Sequence, residues 1–248
     1  MTNKHHVILV TGGAERIGKA IVKQLAKDNY KIAIHYFKSS TAAELLKKEL
    51  QAIGIVCATF QADISKYDEV LMLKKQINTQ LGPVSGIVNN AGFAEFKSFF
   101  DYAPNDWQRE ITINLNGIIN IAHIFLPTMI DAKFGKFISI IGDSTRTGHR
   151  TLIIPAAARG GVIGFTKSLA LELGPHNIQC NIVSLGLIDE NTLQLDAPTL
   201  AARAKSHPAQ RIGKVTDITG IIQFLLSDSS EWILGQIISI NGGKSMMS

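Results

Sequence analysis

Short runs of apolar, largely β-branched residues alternate along the whole chain with longer segments in which apolar positions recur every three to four residues. The strand-like runs are VILVT, IAIHY, VCATFQ, GIVNN, FISII, IQCNIVS and IISIN. Between them lie KAIVKQLAKD, AELLKKELQAI, EVLMLKKQI, a long segment near 107–130, GGVIGFTKSLALEL over 160–173, and TGIIQFLLS. A helix-sized segment between successive strands is what a crossover between parallel neighbours requires. The pattern therefore predicts an α/β fold, a doubly wound (Rossmann-like) seven-stranded, mostly parallel sheet with helices on both faces. Right-handed crossovers place ligands at the carboxyl ends of the strands, where the strand order reverses, so chemistry is expected directly after each strand.

Composition narrows the picture. At 248 residues, 46% hydrophobic and 18% charged, with no Pro/Gly/Ser-rich linker, the chain reads as a single domain over 1–248. The start MTNKHH runs straight into the first strand, leaving no room for a signal peptide, and no long uninterrupted apolar run follows; the expectation is a cytoplasmic protein with no membrane association. Cys57 and Cys180 lack metal or redox spacing, so two reduced, buried thiols and no metal site are expected. The net charge of +5 is dispersed, which argues against a nucleic-acid partner.

After the first strand stands T-G-G-A-E-R-I-G, Thr11 to Gly18, and then an amphipathic helix. Gly12 and Gly18 permit a tight turn and a close backbone approach to a pyrophosphate, with Arg16 and Ile17 between them and a helix N-terminus behind. The second strand ends in His35-Tyr36-Phe37-Lys38-Ser39-Ser40, and no acid lies between Asp28 and Glu44 to hold a ribose 2′-hydroxyl. Arg16, His35, Lys38, Ser39 and Ser40 instead offer charge and donors to a 2′-phosphate, which favours NADP(H) over NAD.

With Asp63 after the third strand, Asn89-Asn90-Ala91-Gly92 after the fourth, Asn114 in the long helix and the ending GQIISINGG, the chain resembles the short-chain dehydrogenase/reductase family over essentially its whole length. Arg16 and HYFKSS resemble the pteridine reductase branch, which uses NADPH and reduces pterins. The resemblance implies that Asp63 and Ile64 contact the adenine and that Asn89, Ala91 and Gly92 shape the cofactor-facing end of the central strand. It also places Leu185-Gly186 where the family has Pro-Gly, with Gly186 on the nicotinamide side. A homodimer or homotetramer, paired through the long helix and the 160–173 helix, is implied as well.

In that family a Tyr gives the proton, a Lys four residues later lowers the Tyr pKa and holds the nicotinamide ribose, a Ser orients substrate, and a helical Asn completes a relay. Asn114 matches the last. Aligned without gaps, Gly142 falls at the Ser position, Pro155 at the Tyr position and Arg159 at the Lys position. Pro155 has no ionisable group, and the tyrosines, Tyr30, Tyr36, Tyr67 and Tyr102, all lie outside this helix and its preceding loop. The Tyr-x6-Lys alternative fails because Gly160 stands seven residues before Lys167. Asp143 sits one place beyond the Ser position, where pteridine reductases carry Asp, and comes into register if the loop is one residue shorter. Glu190 replaces the family Thr and reads as a solvated loop residue. A lid over about 187–210 carries Arg203 and His207, both read as solvated, while His149 and Arg150 precede the altered helix. The expectation is an NADP(H)-binding pseudoenzyme, a sensor, scaffold or partner subunit without ordinary Tyr/Lys turnover. Two alternatives stand beside it: an active NADPH-dependent oxidoreductase of a pterin-like or carbonyl substrate, with water, Asp143 or the substrate as proton source, and an interaction protein that has also lost the cofactor.

Overall fold

The structure is a computed structural model that describes residues 6–190 and 196–246. Strand β1 (Val7–Val10) leads into helix α1 (Arg16–Lys27), β2 (Lys31–Tyr36) into α2 (Ser40–Ala52), and β3 (Cys57–Gln61) into α3 (Tyr67–Gln80). After β4 (Val84–Asn89) come α4 (Pro104–Ile111), a π-helical turn (Thr112–Asn116) and α5 (Gly117–Ala132), which run on as one helix. Strand β5 (Gly135–Gly142) passes through the short α6 (Ser144–Thr147) to α7 (Ile153–Leu173). The remaining elements are β6 (Ile178–Leu185), β7 (Ile188–Asp189), α8 (Ala197–Lys205), β8 (Gly213–Lys214), α9 (Thr216–Leu226) and β9 (Ile237–Ile240).

Seven strands form one sheet in the order β3-β2-β1-β4-β5-β6-β9, every neighbour parallel. The order reverses between β1 and β4, whose carboxyl ends therefore frame a crevice. Alternation along the strands divides the core. Leu9, Ile87, Phe137 and Cys180 face α3, α5 and α7 with Ile121, Phe125 and Val162. Their neighbours Ile8, Val10, Val88 and Ile138 face α1 and α9 with Ile21, Val22, Ile218 and Ile222. A strand buried on both faces has no polar face to alternate with, which is why these strands read as continuous apolar runs.

The expected architecture is the observed one, with three differences of detail. Helix α7 begins at Ile153, ahead of the apolar stretch 160–173 that signals it, and carries Pro155 in its first turn, where a missing N–H has no intrahelical acceptor to lose. The pairing of β7 with β8 makes a separate two-stranded ribbon of two residues each, too short to carry a periodic signal. Among the described residues, the run Pro104–Ala132 is long and apolar enough to cross a membrane by length and composition, yet half of its most apolar stretch is buried inside the protein, as a core helix requires. Cys57 and Cys180 are free and buried, and burial raises both thiols, to about 11 and about 12.

Phe137 is fully buried at the centre of the sheet. Phe137→Ala is expected to destabilise the fold by about 3–5 kcal/mol, read as a lowered urea midpoint at unchanged slope.

Candidate active site

The turn after β1 is stitched from three sides. The Thr11 hydroxyl accepts the backbone N–H groups of Asn90 and Ala91, both at 3.0 Å. The Asn90 side-chain amide donates to the carbonyls of Thr11 and Gly12, both at 3.1 Å. From the β2 side, the Gly12 N–H donates to His35 Nδ1 at 3.2 Å and the Gly13 N–H to the His35 carbonyl at 2.9 Å. Gly12 adopts φ +61°, and a methyl group on Gly18 would collide with the Gly12 carbonyl oxygen, so both glycines are required by the backbone path. No acidic side chain occupies the first turn of α1, and Glu15 before it makes no side-chain cap, which leaves this helix start open to an anion.

His35 corrects the sequence expectation. It is buried, its Nδ1 accepts from Gly12, and Nε2 donates to the Ala62 carbonyl at 3.0 Å. Burial pushes its pKa down to about 4, so the ring is neutral and both nitrogens are committed inside the protein. It pins the turn and carries no charge toward a phosphate. Ser39 is likewise engaged, its hydroxyl donating to the Glu15 carboxylate.

Two clefts open at the carboxyl ends of the strands. One, of about 570 Å³, is walled by Gly12, Arg16, Ile17, Gly18, Asn90, Ala91 and Gly92 on one side and by Gly142, Arg159, Gly186 and Glu190 on the other. The second, of about 700 Å³, is reached across Ala91 and Gly92 and is lined by Lys38, Asp63, Ile64 and Arg109. The expected residues Arg16, Ile17, Gly18, Gly12, Lys38, Asp63, Ile64, Ala91, Gly92, Arg159 and Gly186 are thus brought to two adjoining clefts. Asn89 is not: it is buried in β4, and both its side-chain polar atoms lack a hydrogen-bond partner. Alternation turns Asn89 inward and leaves Asn90 to face the cleft.

Three positions converge deeper in, Asn114, Arg159 and Gly142. Asn114 lies in the π-helical turn, where its side-chain amide donates to the Glu110 carbonyl at 2.9 Å and to the Phe93 carbonyl, while its Oδ1 accepts the Phe93 N–H at 3.1 Å. Insertion of that side chain into the helical ladder accounts for the π turn. Arg159 Nη2 stands 3.4 Å from Asn114 Oδ1 and 3.1 Å from the place a Cβ on Gly92 would occupy; Nη1 stands 3.8 Å from the corresponding place on Gly142. Pro155 is buried in the first turn of α7.

Asp143 also departs from expectation. Its carboxylate is buried and accepts from Ser184, from Asn241 and, at 2.7 Å, from the Ser245 hydroxyl, tying the end of β6 to the C-terminal segment. It holds the tail and does not face the cleft. Glu190, expected in solvent, is partly buried in the cleft wall, 3.6 Å from Arg16, and burial raises its pKa against the opposing pull of Arg16. His207, expected on a solvated lid, is buried, with Nδ1 donating to the Arg203 carbonyl at 2.8 Å, and lines a separate cavity of about 300 Å³. His149 is exposed and meets Phe96 edge-on. Helix α8 lies within the expected lid; residues 191–195 of that lid fall outside the described part.

Two groups escaped the sequence reading. The Ser144 hydroxyl lies 3.3 Å from the Cβ position of Gly142. Glu110 is fully buried; its Oε1 accepts from the Glu95 N–H and the Tyr102 hydroxyl, its Oε2 has no hydrogen-bond partner, and burial raises its pKa while Arg159 pulls it down. The signal for Glu110 was its position four residues before Asn114, on the same helix face.

A family model described as "Enoyl-(Acyl carrier protein) reductase" matches residues 12–245. The chain belongs to the short-chain dehydrogenase/reductase family. Among its relatives, the 3-oxoacyl-[acyl-carrier-protein] reductase of Staphylococcus epidermidis is 34% identical over 242 residues, covering 96% of this chain and 98% of that protein. The acetoacetyl-CoA reductase of Shinella zoogloeoides is 33% identical over 240 residues, with 96% and 98% covered. Of solved structures, a gluconate 5-dehydrogenase from Burkholderia cenocepacia in complex with NADP and tartrate superposes with a TM-score of 0.90 at 26% identity, covering 98% of both chains.

His35 sets a pH dependence on the turn. A folded pKa near 4 against 6.5 in the unfolded chain means that stability is fully present above pH 6.5 and is lost as pH falls toward 4. The loss through this group is roughly 3 kcal/mol. His35→Asn, which can accept from Gly12 and donate to Ala62 without titrating, is expected to flatten this part of the profile in urea melts at pH 7, 5.5 and 4.5.

Proposed function

We propose that this short-chain dehydrogenase/reductase binds NADP(H) and has lost the ordinary Tyr/Lys proton delivery of its family. The observation that carries this reading is the pairing of a preserved dinucleotide cradle with Gly142, Pro155 and Arg159 at the reaction centre. The cradle fits the cofactor: added side chains at Gly12 or Gly18 would meet backbone or the Asn90 amide, so the space beside the turn and the open start of α1 suits a pyrophosphate. Arg16 and Lys38 line the two clefts and would hold a 2′-phosphate, with Asp63 and Ile64 at the adenine and Arg159 at the nicotinamide ribose. When bound there, the cofactor supplies hydride to an electrophilic carbon.

The chain's own residues then decide whether a proton can follow. Pro155 offers none, and Arg159, even with its pKa lowered by burial, is a poor acid at neutral pH. Asp143 accepts from Ser184 on β6 and from Asn241 and Ser245 in the C-terminal segment, which argues against it as the proton source of the active alternative. That alternative keeps one specific support, the Ser144 hydroxyl beside Gly142. For substrate, the reductases of 3-oxoacyl and acetoacetyl thioesters among the relatives favour a carbonyl over a pterin, since His35 and Ser39, on which the pterin resemblance partly rested, are committed inside the protein. Leu171 on α7 and Ile119 on α5 are exposed and suit pairing with a second copy of the chain, as in the expected homodimer or homotetramer.

NADPH is expected to bind, read by nicotinamide fluorescence, while its oxidation with acetoacetyl-CoA stays at least about 10²-fold below that of the triple variant Gly142→Ser, Pro155→Tyr, Arg159→Lys. Brisk turnover by the unaltered protein would refute the loss of proton delivery, and absence of NADPH binding would refute the cofactor assignment. Glu190→Thr removes a carboxylate from the cleft and frees Arg16; NADPH affinity is expected to rise several-fold, by about 1 kcal/mol, with the gain shrinking as pH falls and Glu190 protonates in the parent.

A further inference from the structure

Arg159 is a cation that the reaction centre leaves uncompensated. Arg159 is half-buried in the cleft wall, and that partial desolvation lowers its pKa. Among the described residues no carboxylate oxygen lies within 4 Å of it, whereas Arg16, across the cleft, is paired with Glu190. Its one hydrogen bond among the described residues, from Nη2 to Asn114 Oδ1, is long at 3.4 Å, and that oxygen already accepts the Phe93 N–H. Glu110 acts on Arg159 only through space, its Oε1 being taken by Tyr102 and the Glu95 amide. A guanidinium carries five N–H donors in a planar fork, and here most of them have no protein acceptor and border the cleft, where an anion can receive them.

The space for that anion is on the Gly142 side. Nη1 lies 3.8 Å and the Ser144 hydroxyl 3.3 Å from where a Gly142 Cβ would stand, so both groups border the cleft wall at Gly142. The same cleft is lined by the apolar Ala94, Phe96, Ile140, Ile141 and Leu187 as well as by the polar Asn90 and Glu190. One guanidinium balances one negative charge, so a carboxylate suits it better than a phosphate dianion, which the acidic Glu190 and Glu110 nearby would oppose.

We propose that the reaction centre is a carboxylate-binding site: the Arg159 fork grips the carboxylate of a small organic acid in the space left by Gly142, and the acid's apolar body lies against Phe96 and Ile141. The site deepens the dinucleotide-binding reading and rests on it in one respect, that the acid sits beside the bound cofactor in the same cleft. Arg159 then joins the two ligands, Nη2 on the Asn114 and Gly92 side and Nη1 on the acid side. The substitution that impairs proton delivery thereby creates a different specificity, for a ligand with a permanent negative charge.

The matched pair benzoate and benzamide tests this, since the two share shape and differ in charge. Calorimetric titration into the protein, with and without NADPH, is expected to show benzoate binding more tightly than benzamide by on the order of tenfold. Arg159→Gln, checked for folding by its melting curve, is expected to erase that preference, and Arg159→Lys, which keeps the charge without the fork, to retain part of it. Equal affinity for the two probes, binding of neither, or an unchanged preference in Arg159→Gln overturns the proposal. Should Arg159→Gln fail to fold, the benzoate preference of the parent and its reduction in Arg159→Lys decide the matter. NADPH titrated into the same preparations separates the two readings: carboxylate preference without NADPH binding sinks the cofactor assignment alone, and NADPH binding without carboxylate preference sinks this site alone.

Discussion

Close backbone approach at the β1–α1 turn is the constraint on which the rest of the site depends. Gly18 can pack against the Gly12 carbonyl only because neither residue has a side chain, and that contact lets α1 start directly beside the crevice between β1 and β4. The turn has few apolar atoms to bury, so it is fixed by directed polar contacts: Thr11 and Asn90 from the β4 side and His35 from the β2 side. Each of these groups is satisfied within the protein, and the orphan N–H groups of the α1 start remain available. The same economy explains why His35 is neutral. A charged imidazole could not accept from Gly12, and a buried charge with only carbonyl partners would be driven to lose its proton.

At the other wall of the cleft the electrostatics run in the opposite sense. Here a half-buried cation stands near a buried carboxylate that it does not touch, and one oxygen of that carboxylate has no hydrogen-bond partner. Glu110 and Arg159 flank Asn114, which the π turn swings into contact with both backbone and guanidinium. Such a cluster is poorly stabilised on its own, and incomplete polar networks of this kind are found where a ligand completes them. The separation of roles follows: a cradle complete in itself binds by fixed geometry, while the reaction centre is held in readiness for a negatively charged guest. The Arg16–Glu190 pair links the two walls of the cleft.

Much of this was legible from residue order alone. Two-sided burial leaves an unmistakable trace, so VILVT, IAIHY, GIVNN, FISII and IQCNIVS announced their strands, and the T-G-G-A-E-R-I-G turn announced its place after the first of them. What failed to show was whatever depends on which way a polar side chain turns. His35 and Asn89 share their motifs with residues that do face the crevice, yet alternation and burial send both inward. Asp143 lies one residue past a strand end where a substrate contact was plausible, but its acceptors are filled by Asn241 and Ser245, about a hundred residues distant in the chain. His207 and Glu190 carried no periodic signal at all, because they sit in connections whose packing is set by partners elsewhere.

The order of apolar and polar residues by itself determined the alternating elements, the parallel sheet and the position of the phosphate turn, because each rests on contacts within a few residues or on a period that burial imposes. It also determined that no phenol occupies the first turn of α7, since that is a matter of residue identity. Only the tertiary structure decided what Arg159 faces, that Gly142 opens the space in front of it, and that Glu110 lies near without pairing. Those relations join α4, β5 and α7, three elements brought together by the packing of the sheet's helical layer, and no local rule of sequence specifies the few ångströms on which charge compensation turns.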